Sequence, residues 1–202
     1  MAGLLANLRN TIIVSLVLAL IIIAGYFSHN GGGADAIFFQ ALFRFIHVLC
    51  GIMWIGLLYY FNFVQIPQMA NIPAELKPAV SKFIAPAALF WFRWAALCTW
   101  VAGVILAFNR GYLVAAFSLG ASEGFVDPGH IFIGMGMWLA TIMFINVWAF
   151  IWPNQKIALG IVEADADAKA KAGRTAMLFS RTNTLLSIPM LVTMTMSQTI
   201  FG

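Results

Sequence analysis

The chain has 202 residues, of which 62% are hydrophobic and 9% charged, with eleven Lys and Arg against seven Asp and Glu. Water-soluble domains carry about 45–50% apolar and about 25% charged residues, so this chain cannot cover a water-facing surface. A soluble enzyme, a disordered chain and a free nucleic-acid binder are excluded, and a polytopic membrane protein remains. Cys50 and Cys98 sit in apolar runs outside any C-x-x-C or C-x-x-C-H pattern, so neither a disulfide framework nor covalent c-type haem is indicated.

Crossing roughly 30 Å of hydrocarbon takes about 20 apolar residues. Five stretches qualify: about 11–27, 38–65, 87–108, 129–152 and 181–201. Each is expected to be a helix, because lipid offers no partner to open backbone groups. The first reads as an uncleaved anchor, although Ala34-Asp35-Ala36 mimics a signal-peptidase site. The expected organisation is an anchor and outer link over residues 1–36, then a four-helix membrane bundle over 37–202. Within the connections, residues 28–35 form a glycine-rich outer link, 66–82 a Pro-punctuated loop, and 109–128 a loop with a short apolar piece at 113–119. Asp127-Pro128 reads as an N-cap followed by proline at the first helical position. Residues 154–176 mix acids with bases and read as a solvated helix.

Charge placement orients the bundle. With the N-terminus in the cytoplasm, Arg9, Lys77, Lys82, Lys156, Lys169, Lys171, Arg174 and Arg181 lie inside and Arg110 alone outside. Arg44 and Arg93 fall within or at the ends of spans, which accounts for all eleven. An eight-to-one split fits the positive-inside rule and puts the C-terminus in the periplasm of a bacterial inner membrane.

The second and fourth spans read alike. His47, Gly51, Trp54 and Asn62 match His130, Gly134, Trp138 and Asn146, at offsets of 83 residues for His and Gly and 84 for Trp and Asn. Pro67 and Pro153 end both spans, and Leu89–Arg93 pairs with Met177–Arg181 at an offset of 88. The last four helices are therefore expected to form two repeated helix pairs about an axis along the membrane normal.

Ionisable groups inside a membrane are costly and mark functional sites. Arg44, His47, Gly51, Trp54, Leu58 and Asn62 share a helix face about 80° wide. Such a face suits a flat macrocycle, with imidazole on the iron, glycine opening space and arginine meeting a propionate. His130, Gly134 and Trp138 are the matching candidates on the fourth span. The expected cofactor is haem b, with His47 and His130 as metal ligands and Arg44, Gly51, Trp54, Gly134 and Trp138 as its contacts. The competing reading for either histidine is a plain helix-to-helix hydrogen bond. A copper site lacks a clustered Met motif. Trp91, Arg93, Trp94, Trp148 and Trp152 read as an interfacial belt with a snorkelling cation. The extra residue between His130 and Trp138 predicts a π-bulge at about 133–138, which would return Trp138 and Asn146 to the His130 face.

The stretches His47–Pro67 (HVLCGIMWIGLLYYFNFVQIP), Ile84–Arg93 (IAPAALFWFR), Gly134–Gly160 (GMGMWLATIMFINVWAFIWPNQKIALG) and Ser180–Pro189 (SRTNTLLSIP) resemble the urate oxidase N-terminal family. That family is the membrane part of bacterial cytochrome c-linked urate hydroxylases. The resemblance covers about residue 38 to the C-terminus and implies a stand-alone form without the cytochrome c domain. It also implies a periplasmic cytochrome c as redox partner.

Three functions follow as expectations. The first is a haem b protein transferring electrons with a periplasmic partner. The second is a non-catalytic subunit of a larger respiratory or photosynthetic membrane complex. The third is a membrane oxidase of a urate-like molecule. Lipid is the expected surrounding in each, and nucleic acid is not a partner.

Overall fold

A computed structural model describes residues 2–30 and 33–201, so Gly31 and Gly32 of the expected outer link lie outside the described residues. Every regular element among the described residues is helical. The chain divides into two compact units, Met1–Phe39 and Gln40–Gly202.

In the first unit, helix α1 (Leu8–Asn30) follows a short turn at Ala2–Leu5. Its apolar window has no buried residue. A helix apolar on all sides and uncovered by protein suits lipid, not water. Asp35 caps the next helix, its Oδ1 accepting from the Phe38 N–H at 2.8 Å.

The second unit is built from α2 (Ala36–Gln68, which starts in the first unit), α3 (Lys77–Asn109), a short α4 (Leu113–Phe117), α5 (Pro128–Ala158) and α6 (Ala166–Ile200). Helices α1, α2, α3 and α5 are long and apolar enough to cross a membrane; α6 is not among them. Polar residues lower its hydropathy on both faces: Ser180, Asn183, Ser187, Thr193 and Ser197 are buried, and Arg181, Thr182, Thr195, Gln198 and Thr199 are exposed. Leu185, Ile188, Val192 and Met196 also point outward. The expected capping at Asp127 is present, with Oδ1 accepting from the Gly129 N–H at 2.7 Å and Pro128 opening α5.

Among the described residues, three wide π-helical turns occur, at Tyr60–Gln65 in α2, Val80–Ile84 in α3 and Asn146–Ile151 in α5. Each ends two residues before a proline: Pro67, Pro86 and Pro153. In all three the residue before proline donates its N–H five residues back, to Phe61, Val80 and Val147 carbonyls. Proline has no N–H and its ring crowds the carbonyl four residues earlier, and the wider turn relieves both. The turn expected at 133–138 is absent, because α5 is regular α-helix from Pro128 to Ile145. The irregularity lies a few turns further on, set by Pro153 and not by Gly134-Met135-Gly136. Asn146 nonetheless points inward, where Nδ2 donates to Asn183 Oδ1 at 2.8 Å.

The filled core sits in the half of the bundle nearest the lysine-rich loops. Trp54, Leu58, Phe61, Leu89, Phe92, Met143, Val147, Ile151 and Met190 pack there, with Phe92 edge-on to Phe61 at 5.7 Å. Polar pairs hold α6 against this core: Tyr59 Oη and Ser187 Oγ at 2.9 Å, Asn62 Nδ2 to Ser180 Oγ at 2.8 Å, and Asn183 Nδ2 to the Met143 carbonyl at 2.9 Å. In apolar surroundings such bonds fix helix register, contributing about 0.6 kcal/mol each on average.

Candidate functional site

Toward the opposite end the bundle opens into a cavity of about 600 Å³. Arg44, His47, Gly51 and Trp54 from α2 all line it, as their shared helix face predicts. Helix α3 contributes Thr99, Trp100 and Gly103; α5 contributes Ile133, Met137, Ala140 and Thr141; α6 contributes Met190, Met194 and Gln198. This volume is in the range of small-molecule and cofactor sites, about 300–1,000 Å³.

His47 is held by α3. Its Nδ1 lies 2.8 Å from the Thr99 carbonyl oxygen, so Nδ1 carries the proton and donates. That carbonyl cannot accept from a hydroxyl on its own residue, since Thr99 Oγ1 donates to Ala95 O at 2.7 Å. The ring fits a notch made by Gly103, where a Cβ would come within 2.8 Å of Nδ1. The remaining Nε2 bears the lone pair and has no protein hydrogen bond among the described residues. A histidine whose far nitrogen is fixed on a carbonyl is the arrangement that orients a metal ligand. Gly51 is not forced by a neighbour, since a Cβ there would meet only Thr99 Cγ2 at 3.7 Å; its effect is to leave the cavity open. Trp54 is 1% exposed, and its Nε1 has no acceptor among the described residues.

A second, more polar chamber of about 330 Å³ adjoins, lined by Arg44, Arg110, Tyr112, Asp127, His130 and Gln198 among others. Arg44, Tyr112, Ile133 and Gln198 line both chambers. His130 stacks on Tyr112 at 5.7 Å and bonds Glu123 Oε1 through Nδ1 at 2.8 Å. Its Nε2 stands 3.7 Å from Asp127 Oδ2. Burial pushes the Tyr112 phenol above its usual range, against a downward pull from Arg110 and Arg44, so Tyr112 is a neutral hydrogen-bonding group at physiological pH. Among the described residues neither arginine has a carboxylate partner, and Arg44 Nε is buried without an acceptor.

The structure thus brings Arg44, His47, Gly51 and Trp54 together and sets the α5 candidates elsewhere. His130 lines the outer chamber and not the larger cavity. Gly134 serves helix packing: a Cβ there would lie 2.1 Å from the Ala116 carbonyl oxygen of α4. The space assigned from sequence to a macrocycle is filled by that backbone. Trp138 clasps the same helix, donating Nε1–H to the Phe117 carbonyl at 2.9 Å. Sequence reasoning missed Thr99, Gly103, Arg110 and Tyr112. A signal for the first two was present in Thr99, Gly103 and Ala107, small residues four apart that let another helix approach.

The fold is that of an all-helical protein with the make-up of a multi-pass membrane protein, hollow at one end, with one histidine fixed at the wall of the hollow. Residues 110–199 match the family model described as urate oxidase N-terminal. Over that segment, which takes in the loop before α5, α5 itself and nearly all of α6, the chain is similar to the urate oxidase N-terminal family. No curated protein and no solved structure gives a significant match.

Proposed function

We propose that this chain is a haem b protein of the bacterial inner membrane that exchanges electrons with a periplasmic partner, a cytochrome c or a larger membrane complex. The observation that carries the reading is His47, fixed through Nδ1 to the Thr99 carbonyl with Nε2 unbonded at the wall of a 600 Å³ apolar cavity. Haem bound there supplies a one-electron couple. The chain's own residues have separate tasks. His47 is the iron ligand, Thr99 and Gly103 hold its ring, Gly51 leaves room, and Arg44 meets an acidic edge. His130 and its carboxylates sit at the outer rim rather than opposite His47. With α6 as a fifth span and the N-terminus cytoplasmic, this rim lies on the periplasmic side, a reading supported by the eight-to-one charge split. The burial of Asn183, Ser187 and Thr193 supports its crossing, since Leu185, Ile188, Val192 and Met196 are among the residues it leaves facing lipid. The Pro-linked wide turns of α2 and α5 correspond, in keeping with the duplicated unit, whereas the wide turn of α3 has no counterpart in α6.

The test is the optical spectrum of the purified chain after reconstitution with haem. A reduced b-type α-band that disappears in His47→Ala is expected. A band unchanged in His47→Ala defeats the assignment.

A second reading, membrane oxidation of a urate-like anion, is favoured by the family match and by two unpaired guanidiniums in the outer chamber. Calorimetric titration of urate onto the chain and onto Arg110→Gln separates it from the first. Binding lost in the variant supports the reading, and no binding by the parent chain defeats it.

A further inference from the structure

Another unpaired guanidinium lies at the far end of the bundle. Arg93 Cζ of α3 stands 3.7 Å from the centroid of the Trp152 ring and 5.6 Å from that of Phe90. Lys156 Nζ approaches the same indole at 5.8 Å. Trp148, one turn earlier on α5, meets Trp94 edge-on at 5.6 Å. Arg93 Nη1 and Trp148 Nε1 are both buried without an acceptor, and no carboxylate bridges to Arg93 among the described residues.

Depth locates this cluster. Trp152 follows His130 by 22 residues along α5 (152 − 130), about 33 Å of helix rise. That is close to the hydrocarbon thickness of a bilayer. With His130 at one membrane face, Arg93 and Trp152 stand at the other, beside lipid headgroups. The exposed rings of Phe90, Trp91 and Trp94 form the belt around them.

A freely snorkelling arginine would extend into water. Arg93 is instead half-buried and laid over Trp152, so its charge is pinned where the protein provides no oxygen. A phosphate supplies what is missing: several acceptor oxygens, a matching charge and a bidentate geometry for guanidinium. The phosphate present at this depth belongs to lipid, and basic pockets between helices at this level recognise anionic headgroups. We propose that Arg93, Trp148 and Lys156 form a binding site for the phosphate of an anionic phospholipid, clasped between α3 and α5.

Native mass spectrometry of the full chain in detergent, titrated with phosphatidylglycerol or phosphatidylcholine, tests this. Retained phosphatidylglycerol adducts are expected, reduced about fivefold in Arg93→Gln and unchanged in Arg181→Gln, whose side chain is exposed on α6. Equal retention of phosphatidylcholine, or an unaltered adduct in Arg93→Gln, overturns the proposal. So does displacement of the adduct by millimolar inorganic phosphate, which assigns the site to the free ion. Should Arg93→Gln not fold, quenching of tryptophan fluorescence in the unaltered chain decides. Stronger quenching by brominated phosphatidylglycerol than by brominated phosphatidylcholine supports the site, and equal quenching removes it.

Discussion

One half of the bundle is solid and the other is hollow, although the same three long helices, α2, α3 and α5, line both. In the solid half large side chains face inward: Trp54, Leu58 and Phe61 from α2, Phe92 from α3, Met143 and Ile151 from α5. In the hollow half the same helices present Gly51, Thr99, Gly103, Ala140 and Thr141. Interiors normally close-pack to crystal-like density, and this chain has 18 Phe and 7 Trp with which to do so. Trp54 marks the floor where filling stops. The contrast teaches that the hollow follows from which residue types occupy one end of each helix, and that the filled half is what holds those ends apart.

Substitutions sharpen or break this contrast. Phe92→Ala, at the centre of the solid half, is expected to cost about 3–5 kcal/mol, read as a fall in the thermal midpoint of the detergent-solubilised chain. A smaller loss would mean that the core collapses around the gap and is not the rigid base described. Gly134→Ala presses a methyl against the Ala116 carbonyl, which is backbone and cannot swing aside. A loss of about 1–3 kcal/mol is expected, with α4 released from α5; increased proteolysis within residues 113–128 would report it. Asn183→Leu severs the bonds to Asn146 and to the Met143 carbonyl. Its expected cost is about 1–2 kcal/mol, and an unchanged melting midpoint would show that the polar seam of α6 adds nothing to apolar packing. Gly51→Leu grows into the hollow, with only Thr99 Cγ2 near at 3.7 Å. Stability of the haem-free chain should stay within about 1 kcal/mol of the parent or rise, while haem uptake is lost. A variant that melts much earlier without haem would show that the cavity is already filled by its own side chains.

The sequence made the α2 face readable because its evidence is local. Arg44, His47, Gly51 and Trp54 recur at helical spacing, and a regular helix must bring them to one side. The α5 candidates read equally well and went elsewhere. Their fate depends on α4, a five-residue helix between spans, whose docking onto Gly134 is a non-local contact without any periodic signature. His130 stands two residues after Pro128, so it lies in the first turn, within reach of loop carboxylates that His47 never meets. Repeat logic transferred the role of one histidine to the other without transferring the surroundings. One wide turn was expected, from an extra residue beside the Gly134 and Gly136 pair, and the turns observed precede prolines instead. Three prolines were plain in the sequence, yet the glycine pair at Gly134 and Gly136 looked the weaker backbone. Gly136 is in fact committed to α6, where a Cβ would lie 2.3 Å from Thr193 Oγ1. The last expected span did not read as apolar enough to cross, because Asn183, Ser187 and Thr193 are buried and Arg181 and Gln198 exposed along it.

That covered polar face has a consequence for how the chain is made. A segment leaving the ribosome is sorted into lipid or water by its whole surface, before neighbours are there to hide any part of it. Standing alone, α6 presents Asn183, Ser187, Thr193 and Ser197 to hydrocarbon, and each polar group without a partner there is costly. Only seven residues, 159–165, separate it from α5, whose Asn146 and Met143 carbonyl are the groups that answer Asn183. On the proposed five-span reading, the two helices are expected to enter the bilayer as a hairpin, with α5 waiting at the insertion site until α6 is complete.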